Sequence, residues 1–214
     1  MPLEGDFESK LRAYPELLGQ VELARKCCLT MEARGRLVAA RNRYIKAQYG
    51  EDTLNRVAEV LRPEARKALL DPPLAFSWVP YELMIEIDMA VYDVALNESL
   101  SAIREFGAEM AHFDFPRVFG ALLQLGTPEF LVKRFDLMVR SYMRPARGVL
   151  VEVSKGRAVG VIAGATFPQY ICAINIPGFI QAGLEIGGAK DVVVTHPGCL
   201  HNGGSDCRYA VTWR

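Results

Sequence analysis

The stretch THPGCLHNGGSDCRYAVTW, residues 195–213, gathers His196, Cys199, His201 and Cys207 around a glycine-rich turn. Thiolates and imidazoles are the donors of closed tetrahedral metal sites. Paired thiols of lowered pKa also support redox chemistry. A third reading needs no chemistry: glycine and asparagine shape a turn, and cysteine fills space as a small core residue. The choice depends on whether the surrounding elements bring the thiols together.

Those elements change character along the chain. MEARGRLVAARNRYIKAQYG, from Met31, has helix-forming composition ending at Gly50, and EDTLNRVAEVL follows as a second helix stopped by Pro63. PEARKALL predicts a third, short helix. In YELMIEIDMAVYDVAL, Glu82, Glu86 and Asp93 make one acidic stripe while the other faces are largely apolar, so that helix is expected to be mostly buried. SLSAIREFGAEMAHF follows, capped by Asn97 or Ser99. TPEFLVKRFDLMVRSYM then opens on Thr127 as a cap with Pro128 at the first helical position.

From Gly148 the period becomes that of strands. GVLVEVS and AVGVIAGATF flank a KGR turn, Asn175 is placed to cap a helix ending at Gly187 and Gly188, and DVVVTH and CRYAVTW read as two further strands. The expected fold class is α+β, an N-terminal helical region packed on a C-terminal antiparallel sheet of ββαββ order. Residues 1–30 read as an appendage. Residues 31–214 read as a single domain, helical over 31–147 and β-rich over 148–214.

Composition narrows the function classes. Lysine plus arginine and aspartate plus glutamate number 25 each, so no overall field favours nucleic acid or an anionic membrane, and any such partner would need a local patch. Neither a basic start with an apolar run nor a span-length apolar segment is present, so the expectation is a cytoplasmic protein without a membrane partner. Five cysteines, with Cys27 and Cys28 adjacent, argue against a secreted disulfide framework.

On this plan Cys199 and Cys207 come to one end of the sheet, His196 lies on the same turn, and the crossover helix can return Cys172 to the same rim. Four sulfur and nitrogen donors then meet, the ligand set zinc prefers, and coordination would contribute to folding. Catalysis is not advertised. Ser205, Asp206 and His201 are too close on one turn to form a nucleophile–base–orienter set, and GVIAGATF lies inside a strand and not at a phosphate-binding turn. The chain is therefore read as no enzyme.

ICAINIPGFIQAGLE followed by VVVTHPGCLHNGGSDCRYAV resembles the C-terminal half of the vinyl-reductase-like small-molecule-binding domains. That resemblance implies structural zinc at Cys172, Cys199 and Cys207, with His196 standing where the family has a carboxylate. It also implies a pocket for a small hydrophobic or aromatic ligand, lined by Trp78, Tyr81, Met84, Phe106 and Phe179. The whole chain resembles an uncharacterised family of myxobacterial proteins, which brings no activity. The helical front faintly resembles haem-based nitric oxide sensors of the H-NOX type, whose haem hangs on a histidine of a central helix. Here the helical part offers only His112, so haem is discounted.

Two arginines complete the candidates. On a regular helix over 31–48, Arg34 and Arg41 fall in the middle of the apolar face, where a guanidinium must snorkel, pair or meet an anionic ligand. A structural ion pair with Glu82, Glu86 or Asp93 is the favoured resolution. The reading as a whole is a small-molecule-binding sensory or regulatory module with a structural zinc site. Its alternatives are a homodimerising interaction module without a ligand, or a thiol redox sensor.

Overall fold

The computed structural model describes residues 31–97, 99–165, 167–199 and 206–214. Cys27, Cys28, the appendage 1–30, and His201 and Ser205 of the terminal turn lie outside the described residues. The chain divides into two compact units, one ending at Ser99 and the other running Leu100–Arg214.

The first unit opens on a strand, β1 (Glu32–Arg34), not on a helix. Glutamate, alanine and arginine are good helix formers, but β1 pairs antiparallel with β2 (Trp78–Pro80), Ala33 opposite Val79, and this long-range pairing overrides local preference. The helix α1 (Gly35–Glu59) follows and bends at Gly50, whose φ of 83° is open to glycine at little cost. The two expected helices are therefore both present, and they meet at Gly50, where the backbone leaves the helical region as the sequence predicts. After α2 (Pro63–Leu70) and β2 comes α3 (Tyr81–Val94), ten of whose residues are buried, as its apolar faces predict.

The second unit begins with α4 (Leu100–Leu125), which continues through Pro116 well past the expected end. Thr127 caps α5 (Pro128–Val132), its hydroxyl accepting from the Phe130 amide at 3.3 Å. The chain breaks there and resumes as α6 (Phe135–Tyr142), so the single helix expected from Thr127 is two. A two-residue strand, β3 (Met143–Arg144), leads into β4 (Arg147–Ser154) and β5 (Arg157–Ala163). Gly156, at φ 71°, makes the two-residue turn between them, as the KGR signal predicts.

A π-helical turn (Ile171–Asn175) then runs straight into α7 (Ile176–Ile186), and β6 (Val193–Gly198) and β7 (Arg208–Thr212) complete the ββαββ order. The four long strands are antiparallel in the order β4-β5-β7-β6. Asn175 is not a cap: it is already helical, its side chain caps nothing, and the helix begins a turn earlier. Gly188, at φ 90°, ends α7 as expected. Leu184 of α7 packs with Ala158, Val194, Val211 and Trp213 of the strands and chain end. As an edge of this sheet, β4 carries a bulge between Leu150 and Glu152, with Val149, Val151 and Val153 exposed.

Glycine sets how closely α4 approaches the π turn and α7. A Cβ on Gly107 would meet the Asn175 carbonyl oxygen at 2.1 Å, and one on Gly178 would meet that of Arg104 at 2.1 Å. Both obstacles are backbone, so a methyl group must drive the helices apart. Gly178→Ala is expected to cost about 1–3 kcal/mol or more by overpacking, read as a lowered urea midpoint with unchanged slope. A variant as stable as the wild type would show that this contact yields freely.

Candidate functional site

The second unit brings four of the singled-out residues to one point. Cys172 comes from the π turn, where its amide and that of Ile171 both donate to the Pro168 carbonyl at 3.0 Å. The other three come from the β6–β7 end of the sheet. β6 pairs with β7 at Thr195 opposite Ala210, slips, and resumes at Gly198 opposite Arg208. Such an irregularity re-aims side chains, and it falls on His196, whose ring stacks on Tyr209 at 4.9 Å between centroids. Cys199 follows β6 and Cys207 precedes β7.

The donor atoms of Cys172, His196, Cys199 and Cys207 all lie within 4.8 Å of one another. Cys172 Sγ and Cys199 Sγ are 3.5 Å apart, and all three cysteines are buried and none is in a disulfide. Tetrahedral bonds of about 2.3 Å would set sulfurs about 3.8 Å apart, so the spacing suits four donors around one ion. The nitrogen donor has the matching signature. His196 Nε2 is buried without a hydrogen-bond partner, a state that costs free energy unless a group other than the protein's own atoms takes its lone pair or proton. Hydrogen bonding with Cys207, reinforced by burial, pushes the Cys172 thiol far above its ordinary value. An arriving ion must therefore displace a strongly held proton.

The ligand-pocket candidates are distributed over both units. In the first, the Arg34 guanidinium lies over the Trp78 ring, 3.7 Å from its centroid, and donates to the Phe76 carbonyl at 2.6 Å. Tyr81 and Met84 are buried along α3. Arg41 is buried too, and its partner corrects the expectation. It bonds Asp88 in a two-pronged pair at 2.5 and 2.8 Å, and donates to the Leu37 carbonyl. Glu86 and Glu82 instead hold Arg62, Glu86 at 2.7 Å and Glu82 at 3.6 Å. Asp88 shares the face of Tyr81, Met84, Ile85 and Tyr92, whereas Glu82 and Glu86 lie on another side of the helix. Burial outweighs the pull of Arg41 and holds the Asp88 carboxyl above the usual carboxylate range.

In the second unit Phe106 is fully buried in α4. Phe179 stands edge-on to Phe115 at 6.3 Å and Tyr142 at 5.4 Å, and Phe119 closes the set against Phe115 at 4.9 Å. Rings this close fill one another's space.

No family model and no curated protein matches this sequence. Solved structures do. The chain is similar to an H-NOX protein from S. oneidensis in the Fe(II)NO ligation state, with a TM-score of 0.65 and 15% identity over 85% of this chain and 99% of that one. It is also similar to the unliganded Fe(II) H-NOX protein from K. algicida, with a TM-score of 0.61 and 8% identity over 85% and 96%. A structure from a study of haem distortion in the H-NOX family gives 0.60 and 13% identity over 85% and 95%.

These neighbours agree with the faint likeness of the helical front to H-NOX sensors. They lend no support to the vinyl-reductase-like or myxobacterial likenesses. They also overturn the expectation that zinc is the chain's cofactor and that haem can be discounted, because they are H-NOX domains described in iron ligation states, and haem is the group to which the fold points. Haem iron takes its axial bond from histidine, cysteine, methionine or tyrosine. Of the described histidines, His112 is exposed on α4 and His196 stands among the thiols, so the described residues do not fit a haem hung on a helical histidine. With mixed helices and antiparallel strands, this chain has the fold of an H-NOX domain.

Proposed function

We propose that this chain is a small-molecule-binding sensory domain that acts by binding and not by catalysis. The observation that carries this reading is the fold likeness, which spans nearly the whole length of each H-NOX neighbour. Those neighbours are described with NO or CO ligation or unliganded, so the ligand class proposed here is a small, weakly polar molecule, diatomic gases included. Cys172, His196, Cys199 and Cys207 serve this domain as a structural brace. They hold a thiophilic metal ion that pins the π turn to the β6–β7 end of the sheet. The brace and the sensing chemistry are separate parts of the proposal.

Two measurements on the full chain, purified under reducing conditions, test the two parts. Elemental analysis is expected to find about one thiophilic ion per chain. Absorbance and melting temperature are expected to respond to NO, CO or a small aromatic compound. A chain that ignores all three ligands loses the sensory reading even if its metal is present. A metal-free, equally stable chain loses the brace alone.

A further inference from the structure

The helix that carries Cys172 holds one residue more than a regular α-helix would. The Ile176 amide donates to the Ile171 carbonyl, five residues back, whereas just upstream the Cys172 amide reaches the Pro168 carbonyl, four back, at 3.0 Å. Pro177 supplies a reason. Inside a continuous α-helix its ring would strike the carbonyl four residues earlier, that of Ala173, and the wider turn moves that carbonyl aside. One residue of α-helix is about 100° of rotation, so the insertion re-aims whatever stands upstream of it.

The buried positions of the turn, Cys172 and Asn175, serve two different neighbours. Cys172 goes to the four-donor cluster, its sulfur 3.5 Å from that of Cys199. Asn175 goes to α4. Its carbonyl oxygen stands where a Cβ of Gly107 would be, and its carbonyl carbon would be only 2.9 Å from that Cβ, so glycine alone admits the turn. Gly178 and the Arg104 carbonyl repeat the contact with the roles exchanged, three residues along each helix. The Arg104 guanidinium adds a bond to Gln181 of α7 at 2.8 Å. Backbones that touch at two points leave this joint no slack. Asn175 Nδ2 is buried without a hydrogen-bond partner, a cost that the packing around the turn must hold in place.

We propose, on the basis of the metal brace above, that the π turn couples the four-donor cluster to α4, so that ion binding at Cys172 and close approach of α4 at Gly107 favour each other. The five-residue turn has both partners on its backbone, and it cannot shift toward one without moving at the other. A sensed ligand that displaces α4 then changes how tightly the ion is held, which makes the brace a regulated one.

The full chain, reduced and metal-free, is titrated with cadmium(II), a thiophilic probe whose binding is read by thiolate charge-transfer absorbance. Gly107 contributes nothing to the cluster, yet Gly107→Ala should weaken cadmium binding about 5–150-fold, the usual span of coupling between two sites. Gly120→Ala on the same helix, where a Cβ would meet nothing within 4 Å, should leave the affinity unchanged. Linkage is reciprocal, so cadmium should also slow amide exchange in wild-type α4 around Arg104 and Gly107, which decides the matter even where Gly107→Ala does not fold. Equal affinity in folded Gly107→Ala, or exchange in α4 that cadmium leaves unmoved, overturns the coupling and leaves the brace standing. A wild type that takes up no cadmium removes the brace and the coupling with it.

Discussion

Replacing Asp88 with alanine lowers the stability of the folded chain by about 3–5 kcal/mol, the cost of leaving a buried charge without its partner. Arg41 is 4% and Asp88 1% exposed, so water cannot take over from the lost carboxylate. The Leu37 carbonyl, which Arg41 also contacts, offers a dipole and no charge. Removing both charges tells a different story. Arg41→Met with Asp88→Leu replaces the pair by apolar groups of comparable size, and such exchanges are often neutral or stabilising. Urea denaturation of the wild type, both single variants and the double variant closes the cycle. If Asp88→Ala unfolds within about 1 kcal/mol of the wild type, as exposed pairs do, water reaches Arg41 and the pair is not a buried one.

Cys207→Ser is expected to abolish the metal binding proposed for the cluster and lower stability by about 4 kcal/mol or more, since loss of a metal site belongs to the small set of changes with effects that large. The hydroxyl is close to the thiol in size, so packing alone explains little of such a loss. Chelation separates the two contributions. It should destabilise the wild type and leave Cys207→Ser almost unmoved. Acid should act like the chelator, because thiolates and imidazole bind metal only when deprotonated, and Cys172 holds its proton strongly in the metal-free cluster. A wild type that is indifferent to chelator while Cys207→Ser is destabilised would make these residues a packed thiol core.

The thiol cluster and the sheet were legible in the sequence for local reasons. Alternation and the Lys155–Gly156 turn set the β4–β5 register, and three of the four donors lie within one short stretch of chain. What was not legible depended on distant partners. Residues 32–34 have the composition of a helix and become a strand only because β2 pairs with them. Asp88 was hidden among apolar neighbours, while the more visible stripe of Glu82 and Glu86 serves Arg62. The likeness to H-NOX domains was faint because the shared fold comes with only 8–15% identity in the structures compared, so hardly any shared residues mark it.

The bulged edge of the sheet also bears on the behaviour of the chain in a crowded solution. Strand β4 reads Val149, Leu150, Val151, Glu152, Val153, and its exposed valines make a surface on which another extended chain could pair and grow. Glu152 interrupts that run with a charge, held to Arg157 at 2.9 Å, and the bulge at the same place spoils the regular spacing that a templated strand would need. One carboxylate and one irregular residue thus act as gatekeepers against aggregation.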